Sequence, residues 1–324
     1  MQLTTEKVAL LSKPAPRRRS KLGRLERREE RMFYLFILPW LIGFIFFGGG
    51  PIIASAVMSF TNWQLLAGPK WTGLGNYVQL FQDPLFYLTL KNTLYYGGGT
   101  VVIGVMTSFL QALLLNQRVH GQAFFRTVFY LPSVIAGIAT AFLWLNIFHP
   151  DFGLINTVLG VFGIQGPGWV TSEYWVIPSL IIMSTWSGGS TMIIYLAGLQ
   201  NIPAHLYEAA SIDGAGWWSK FWNVTVPMMS PVIFFNVVTG FIGSLQAFTL
   251  ILIMTNGAPA NASLVYGLYI YRQAFQYFNI GYASALAWVL FVIIMVITLV
   301  QLYLAKHWVY YEGEIQRREI RYEA

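Results

Sequence analysis

The feature that most constrains this chain is a series of six apolar stretches, at roughly 32–60, 92–115, 128–148, 175–199, 232–254 and 282–305. The hydrocarbon core of a bilayer is about 30 Å thick and a helix rises about 1.5 Å per residue, so about 20 apolar residues cross it. Lipid offers no partner to backbone N–H and C=O groups, so crossing segments of this length have to be helical. The expected fold is an all-α integral membrane protein. Six transmembrane helices make a domain at 32–305, between tails at 1–31 and 306–324. Composition agrees: 10% of the residues are charged, against about 25% in a soluble domain. The basic first tail and the run after it lack the pattern of a removable signal peptide. The chain has no cysteine, which excludes a disulfide framework, a thiolate metal site and a cysteine nucleophile.

The net charge of +7 has the sign that nucleic acid attracts, but its placement points to a membrane and no nucleic-acid partner is expected. With the N-terminus inside, every Lys and Arg except Lys70, Lys91 and Arg272 falls on the inner side. Cytoplasmic segments are the basic ones, and an even number of spans then puts both termini and the polar segment 207–227 in the cytoplasm. Trp63, Trp71, Trp169, Tyr174, Trp175, Trp308, Tyr310 and Tyr311 flank the spans as interfacial belts do. The outer loops at 61–93 and 149–174 carry turn formers and aromatics suited to capping a pore or receiving a partner. Glycines inside the spans suit close helix packing and bending.

None of the thirteen Asp and Glu lies inside a predicted span, no Lys or Arg lies deep in one, and His120, His149, His205 and His307 sit at span ends or in loops. Proton-coupled carriers use buried ionisable groups, so that class is disfavoured. A sodium-coupled carrier can use carbonyls and hydroxyls and stays open. No clustered acid, base or metal-ligand set is visible, so no catalytic residue and no metal site is expected. The phosphate-cradling pattern G-x-x-x-x-G-K-[ST] is missing, so any ATP that drives this protein is hydrolysed by another chain.

The segment at 200–227 has its own punctuation. Asn201 reads as an N-cap and Pro203 as a first-turn residue of a short helix at 203–213. Leu206, Ala209, Ala210 and Asp213 share one face of it. Gly214 is placed as the left-handed residue that ends it. A second short helix is expected at 217–224, stopped by Pro227. Two alanines let another surface come close, and Glu208 offers that surface a charge. A plain interfacial linker helix fits the composition equally well.

Glu208-Ala209-Ala210, three residues, Gly214, nine residues, then Val224-x-Val226-Pro227 resembles the EAA signature of permease subunits in binding-protein-dependent ABC importers. Valine stands at both positions where the family form has Ile and Leu. Leu199 with Ile202-Pro203, Phe125-Arg126-Thr127 with Tyr130-Leu131-Pro132, and Asn146-x-Phe148-x-Pro150-x-x-Gly153-x-x-Asn156 are similar to the carbohydrate subgroup, which includes the maltose and glycerol-phosphate permeases. So are Thr255-Asn256-Gly257-Ala258-Pro259 and Gly281-Tyr282-Ala283-Ser284-Ala285. The resemblance implies a type I ABC importer permease fold in a prokaryotic inner membrane, with a coupling helix in the loop 200–227. It implies that Glu208, Ala209, Ala210, Asp213, Gly214 and Pro227 serve ATPase coupling. The implied partners are a second, dissimilar permease subunit, two ABC ATPase subunits that bind ATP and magnesium, and an extracytoplasmic solute-binding protein. No cofactor is expected on this chain itself.

A charge-free pore suits an uncharged sugar, oligosaccharide or polyol. The pathway candidates are Asn236, Gly240, Gly243, Ser244 and Gln246 on span five, with Ser184, Ser187, Ser190 and Thr191 on span four. Hydrogen bonds between helices are the other use for the same residues. The competing function is a self-contained channel or sodium-coupled carrier for a small polar solute.

Overall fold

The computed structural model describes residues 24–64, 68–117 and 120–310. The rest of both tails, with Tyr311, lies outside the described residues. The chain divides into two compact units, 1–55 and 56–324.

In the first unit, α1 (Arg24–Gly43) runs into a π-helical stretch (Phe44–Gly49), and α2 (Gly50–Met58) continues it. Helix begins before the expected tail boundary at 31, because Arg24–Arg31 is a run of good helix formers that needs no lipid to be helical. The wide turn falls on the Gly48–Gly50 triplet, where missing side chains leave room for it. Phe36 and Phe47 are exposed, and no described residue of this apolar segment is buried. A helix apolar all round meets lipid or another chain.

The second unit opens with a feature the apolar pattern does not show. Strands β1 (Thr61–Gln64) and β2 (Gly68–Trp71) pair antiparallel, Thr61 facing Trp71 and Gln64 facing Gly68. Helix α3 (Gly75–Gln82) follows, then α4 (Pro84–Asn116). α4 starts well before the expected residue 92. Asp83 caps it by accepting from the Leu85 N–H at 2.9 Å, and Pro84 occupies the first turn. Its central position is plain from its neighbours: α4 packs against α8 (Val176–Trp186), α9 (Gly189–Gln200) and α12 (Val226–Leu245).

Among the described residues, four helical segments are long and apolar enough to cross a membrane by themselves: Arg27–Met58, Pro84–Asn116, Trp217–Leu245 and Ile280–Trp308. The count of six is reached when two bent pairs are each taken as one span. The third expected span, 128–148, is not one rod. It is α5 (Gln122–Val134) and α6 (Gly137–Ile147), bent by 101° at extended Ile135 and Ala136. The two halves have different neighbours, α5 against α9 and α6 against α13 (Thr249–Met254), so packing sets the bend. The fourth is α8 and α9, bent by 52°; the Ser108 hydroxyl donates to the Gly188 carbonyl at the break, 3.2 Å away. The fifth expected span, 232–254, ends its helix at Leu245 and resumes only in α13. Helix α7 (Leu154–Val161) lies in the loop between α6 and α8.

The last span, α15 (Ile280–Trp308), packs against α12 and against β1 and α3. Gly281 makes the last contact possible, since a Cβ there would overlap the Thr61 carbonyl oxygen. Trp169, expected at an interface, is instead buried. It stacks on Phe148 at 5.6 Å and donates its Nε1–H to Asn156 Oδ1 at 2.7 Å. A large ring with one polar handle is well used where that handle finds a partner.

Candidate functional site

The bundle has two distinct ends, and contacts assign the elements to each. Asn116 and Gln117, at the C-terminal end of α4, line one groove with Tyr207 and Trp217. Tyr310, just past α15, lines another with His205, Leu206 and Pro227. The segment 200–227 therefore sits at the end where α4 and α15 finish. At the other end the N-terminus of α4 meets α14 (Tyr266–Tyr271) and the start of α15.

At the first end, α10 (Ala204–Ile212) is a nine-residue helix with Pro203, not Asn201, as its N-cap. Its C-terminus closes as the glycine spacing predicts. Gly214 has φ +74°, the Gly214 N–H donates to the Ser211 carbonyl at 3.1 Å, and the Ala215 N–H to the Ala210 carbonyl at 2.9 Å. This pair of bonds satisfies two of the last carbonyls, and it needs a left-handed residue between. No residue of α10 is buried. Glu208, Ala209 and Asp213 are exposed, Ala210 is half-buried, and Ile212 is 86% exposed. One side chain anchors the helix: Tyr207 Oη shares a hydrogen bond with Thr225 Oγ1 at 3.0 Å.

Thr225 belongs to the base of the next span, where the sequence reading needs correction. Pro227 does not stop a helix there. α11 (Trp217–Lys220) passes through a π-helical turn (Phe221–Thr225) directly into α12, and the Val226 N–H donates to the Phe221 carbonyl. A proline has no N–H and its ring crowds the carbonyl four residues back; the widened turn relieves that clash and lets the helix continue. Pro227 lines the groove beside His205 and Leu206, whereas Glu208, Ala209 and Asp213 face outward.

Between the ends, α4, α8, α9 and α12 line a half-open cavity of about 190 Å³. Of the pathway candidates it brings together Ser184, Ser187, Thr191, Asn236 and Gly240. It leaves out Ser190, Gly243, Ser244 and Gln246. Ser244 is buried at the helix contact, where its hydroxyl faces Gly97 of α4. Gly243 is exposed and away from this cavity, and Gln246 is exposed at the break after α12. The sequence reading missed Thr100, Ser108 and Thr185, which complete the polar lining. Thr100, Gly104 and Ser108 recur every four residues on α4 and so share a face; that spacing was the available signal. The lining offers hydroxyls and one amide and no charge, so it can hydrogen-bond a neutral polar solute.

The opposite end is tied down by polar contacts. Asp83 Oδ2 accepts from Tyr282 Oη at 2.7 Å and also from Tyr269 Oη. Gln273 Nε2 donates to Tyr269 Oη at 2.9 Å, and Asn279 Nδ2 to Gln273 Oε1 at 3.1 Å. Burial, with the Asp83 carboxylate beside it, holds the Tyr269 phenol above its usual pKa. Asn92 Nδ2 donates to the carbonyls of Asn261 and Leu264, and the Tyr266 N–H donates to Thr93 Oγ1 at 2.7 Å. These bonds fasten the irregular loop 255–265 to α4.

Comparison with known proteins extends these observations. Residues 100–310 match the sequence profile of the family described as "Binding-protein-dependent transport system inner membrane component". The chain is 41% identical to the probable ABC transporter permease protein YesP of Bacillus subtilis, over 91% of this chain and 96% of that one. It is 37% identical to the lactose transport system permease protein LacF of Rhizobium radiobacter, over 87% of this chain and 96% of that one. Its fold matches a chain of a bacterial ABC transporter involved in import of the acidic polysaccharide alginate. That match has a TM-score of 0.77 and 28% identity, covering 88% of this chain and 99% of that one. These matches favour a transport subunit over a self-contained channel or sodium-coupled carrier. The profile match over 100–310 and the identity to YesP and LacF show that the chain belongs to the inner-membrane permease family of binding-protein-dependent ABC transport systems.

Proposed function

We propose that this chain is one half of the translocation pathway of an ATP-driven importer for a neutral sugar, oligosaccharide or polyol. It works beside a second, dissimilar permease subunit, and a solute-binding protein delivers the substrate to the end that carries Asp83. Both termini and α10 face the cytoplasm, as the basic residues favour. Two ATPase subunits there bind ATP and magnesium, and α10 seats in a cleft of one of them. The observation that carries the reading is α10 itself: no residue of it is buried, a two-bond cap fixes its end, and Tyr207 anchors it to the base of α12. A push on Glu208, Ala209, Ala210, Asp213 or Gly214 passes through Tyr207–Thr225 into α12, which lines the cavity with Asn236 and Gly240. A helix that docks on a partner is cheap to leave uncovered when it is short and its exposed face holds only one large apolar residue, Ile212.

The relatives by name include permeases for lactose and for arabinooligosaccharides, and the uncharged lining of the cavity favours neutral members of that class. The test is reconstitution in liposomes with the second permease, the ATPase and the binding protein. Sugar uptake should require ATP and should vanish when the ATPase subunit is omitted. Uptake that persists without it overturns the reading.

A further inference from the structure

At the Asp83 end a second cavity, of about 170 Å³, is lined by five amide residues, Asn62, Gln64, Asn76, Gln79 and Asn279, and by Trp63 and Tyr282. Three elements build it. Strand β1 supplies Asn62 and Gln64. Helix α3 supplies Asn76 and Gln79, three residues apart and so on one face. Asn279 precedes α15 and is bridged to Gln64 through the backbone.

The amides are not used up by the fold. Asn76 is 6% exposed, and its NH₂ donates to the carbonyls of Ser59 at 2.8 Å and Thr61 at 2.9 Å. Those bonds occupy both its hydrogens and leave its Oδ1 as an acceptor. Asn62, Gln64 and Gln79 are exposed at the rim, and their side chains bond to no described residue. No Lys, Arg, His, Asp or Glu lines the cavity. The carboxylate nearest to hand, Asp83, has both oxygens engaged, by the Leu85 N–H and by the two tyrosines.

This chemistry selects a ligand. A sugar hydroxyl both donates and accepts, and so does an amide, so a ring of amides meets a polyhydroxylated ring without a net charge. A phosphate or uronate would find no cation here, and an apolar ligand would strand the amides. The volume is that of about six waters at about 30 Å³ each, below the 300–1,000 Å³ of a pocket for a drug-sized ligand. That is room for one pyranose among the polar groups of the lining.

We infer that this cavity is a carbohydrate subsite at the outer face of the permease, holding one ring of a neutral sugar. The inference rests on the proposed importer function and adds a place on this chain where the sugar is held outside the helix bundle.

The test uses the complete transporter in nanodiscs, without the binding protein, and saturation-transfer NMR with lactose, maltotriose and arabinotriose. Gln64→Ala with Gln79→Ala removes two amides that hold nothing in the fold. The expected result is transfer to ring protons in the parent protein and at least about fivefold weaker binding in the double variant, as loss of one or more hydrogen bonds requires. Equal binding in parent and double variant overturns the inference. So does an absence of transfer from a parent transporter that still takes up one of these sugars. A double variant that keeps sugar binding and loses affinity for the binding protein makes the cavity a protein recess and also overturns it. If the parent takes up none of the sugars, the proposed function fails, and the subsite with it.

Discussion

The two ends of the bundle solve opposite problems. At one, no residue of α10 is fully buried, and among the described residues one side-chain hydrogen bond, Tyr207 to Thr225, ties it to the bundle. At the other, Asp83, Tyr269, Gln273, Tyr282 and Asn279 form a continuous chain of hydrogen bonds, most of it buried. The difference teaches where motion is cheap. Moving α10 exposes little apolar surface and breaks one bond, whereas moving α15 against α4 at the far end strands buried phenols and an amide. Local opening follows the density of buried contacts. The end that carries α10 is thus the cheaper one to move, and the far end holds register.

Substitutions can break this contrast. The largest functional effect should come from α10. Gly214→Val puts a β-branched residue at φ +74°, and Glu208→Lys reverses an exposed charge. Each should lower ATP-dependent uptake at least tenfold while the protein still inserts, as membrane fractionation beside the transport assay will show. The largest stability effect belongs at the far end. Asp83→Ala removes a helix cap and leaves two tyrosine hydroxyls without their acceptor, at a cost of roughly 2–4 kcal/mol. Thermal unfolding in detergent measures it, and Asp83→Asn should recover part of the loss. If Gly214→Val unfolds the protein more than Asp83→Ala does, the contrast is wrong.

A smaller effect is expected between the ends. Asn236→Leu removes the one amide from the 190 Å³ cavity, and should slow uptake several-fold with little change in melting. Tyr207→Phe should cost about 1 kcal/mol or less, yet raise the ATP consumed per sugar moved, because α10 loses its anchor. Smallest of all, Gln246→Ala should shift substrate preference only slightly, since Gln246 lies outside that cavity. A large change across a sugar panel would put the pathway past the break after α12.

Much of this architecture was legible in the residues. Apolar run length gave the helical class, and Gly214, separated by three residues from the Glu208-Ala209-Ala210 triplet, gave the end of α10. What stayed hidden has local causes. The 101° bend between α5 and α6 leaves hydropathy unbroken, because the two halves differ in neighbour and not in composition. Pro227 reads as a stop from its own chemistry, and only the wide turn before it shows how the helix continues. The hairpin at Thr61–Trp71 is too short and too polar to give a strand signal of its own.

Sequence alone determined that the chain lives in a membrane, that its predicted spans carry no ionisable relay and that one polar segment holds a short helix ended at Gly214. These follow from hydration free energies and backbone preferences, which act residue by residue. Tertiary structure decided which hydroxyls share a cavity, that Ser244 packs while Asn236 lines, and that Asp83 caps one helix and receives two tyrosines from elements nearly two hundred residues away. Those outcomes depend on which helix faces meet, and contacts between segments far apart in the chain are fixed only when the whole bundle has packed.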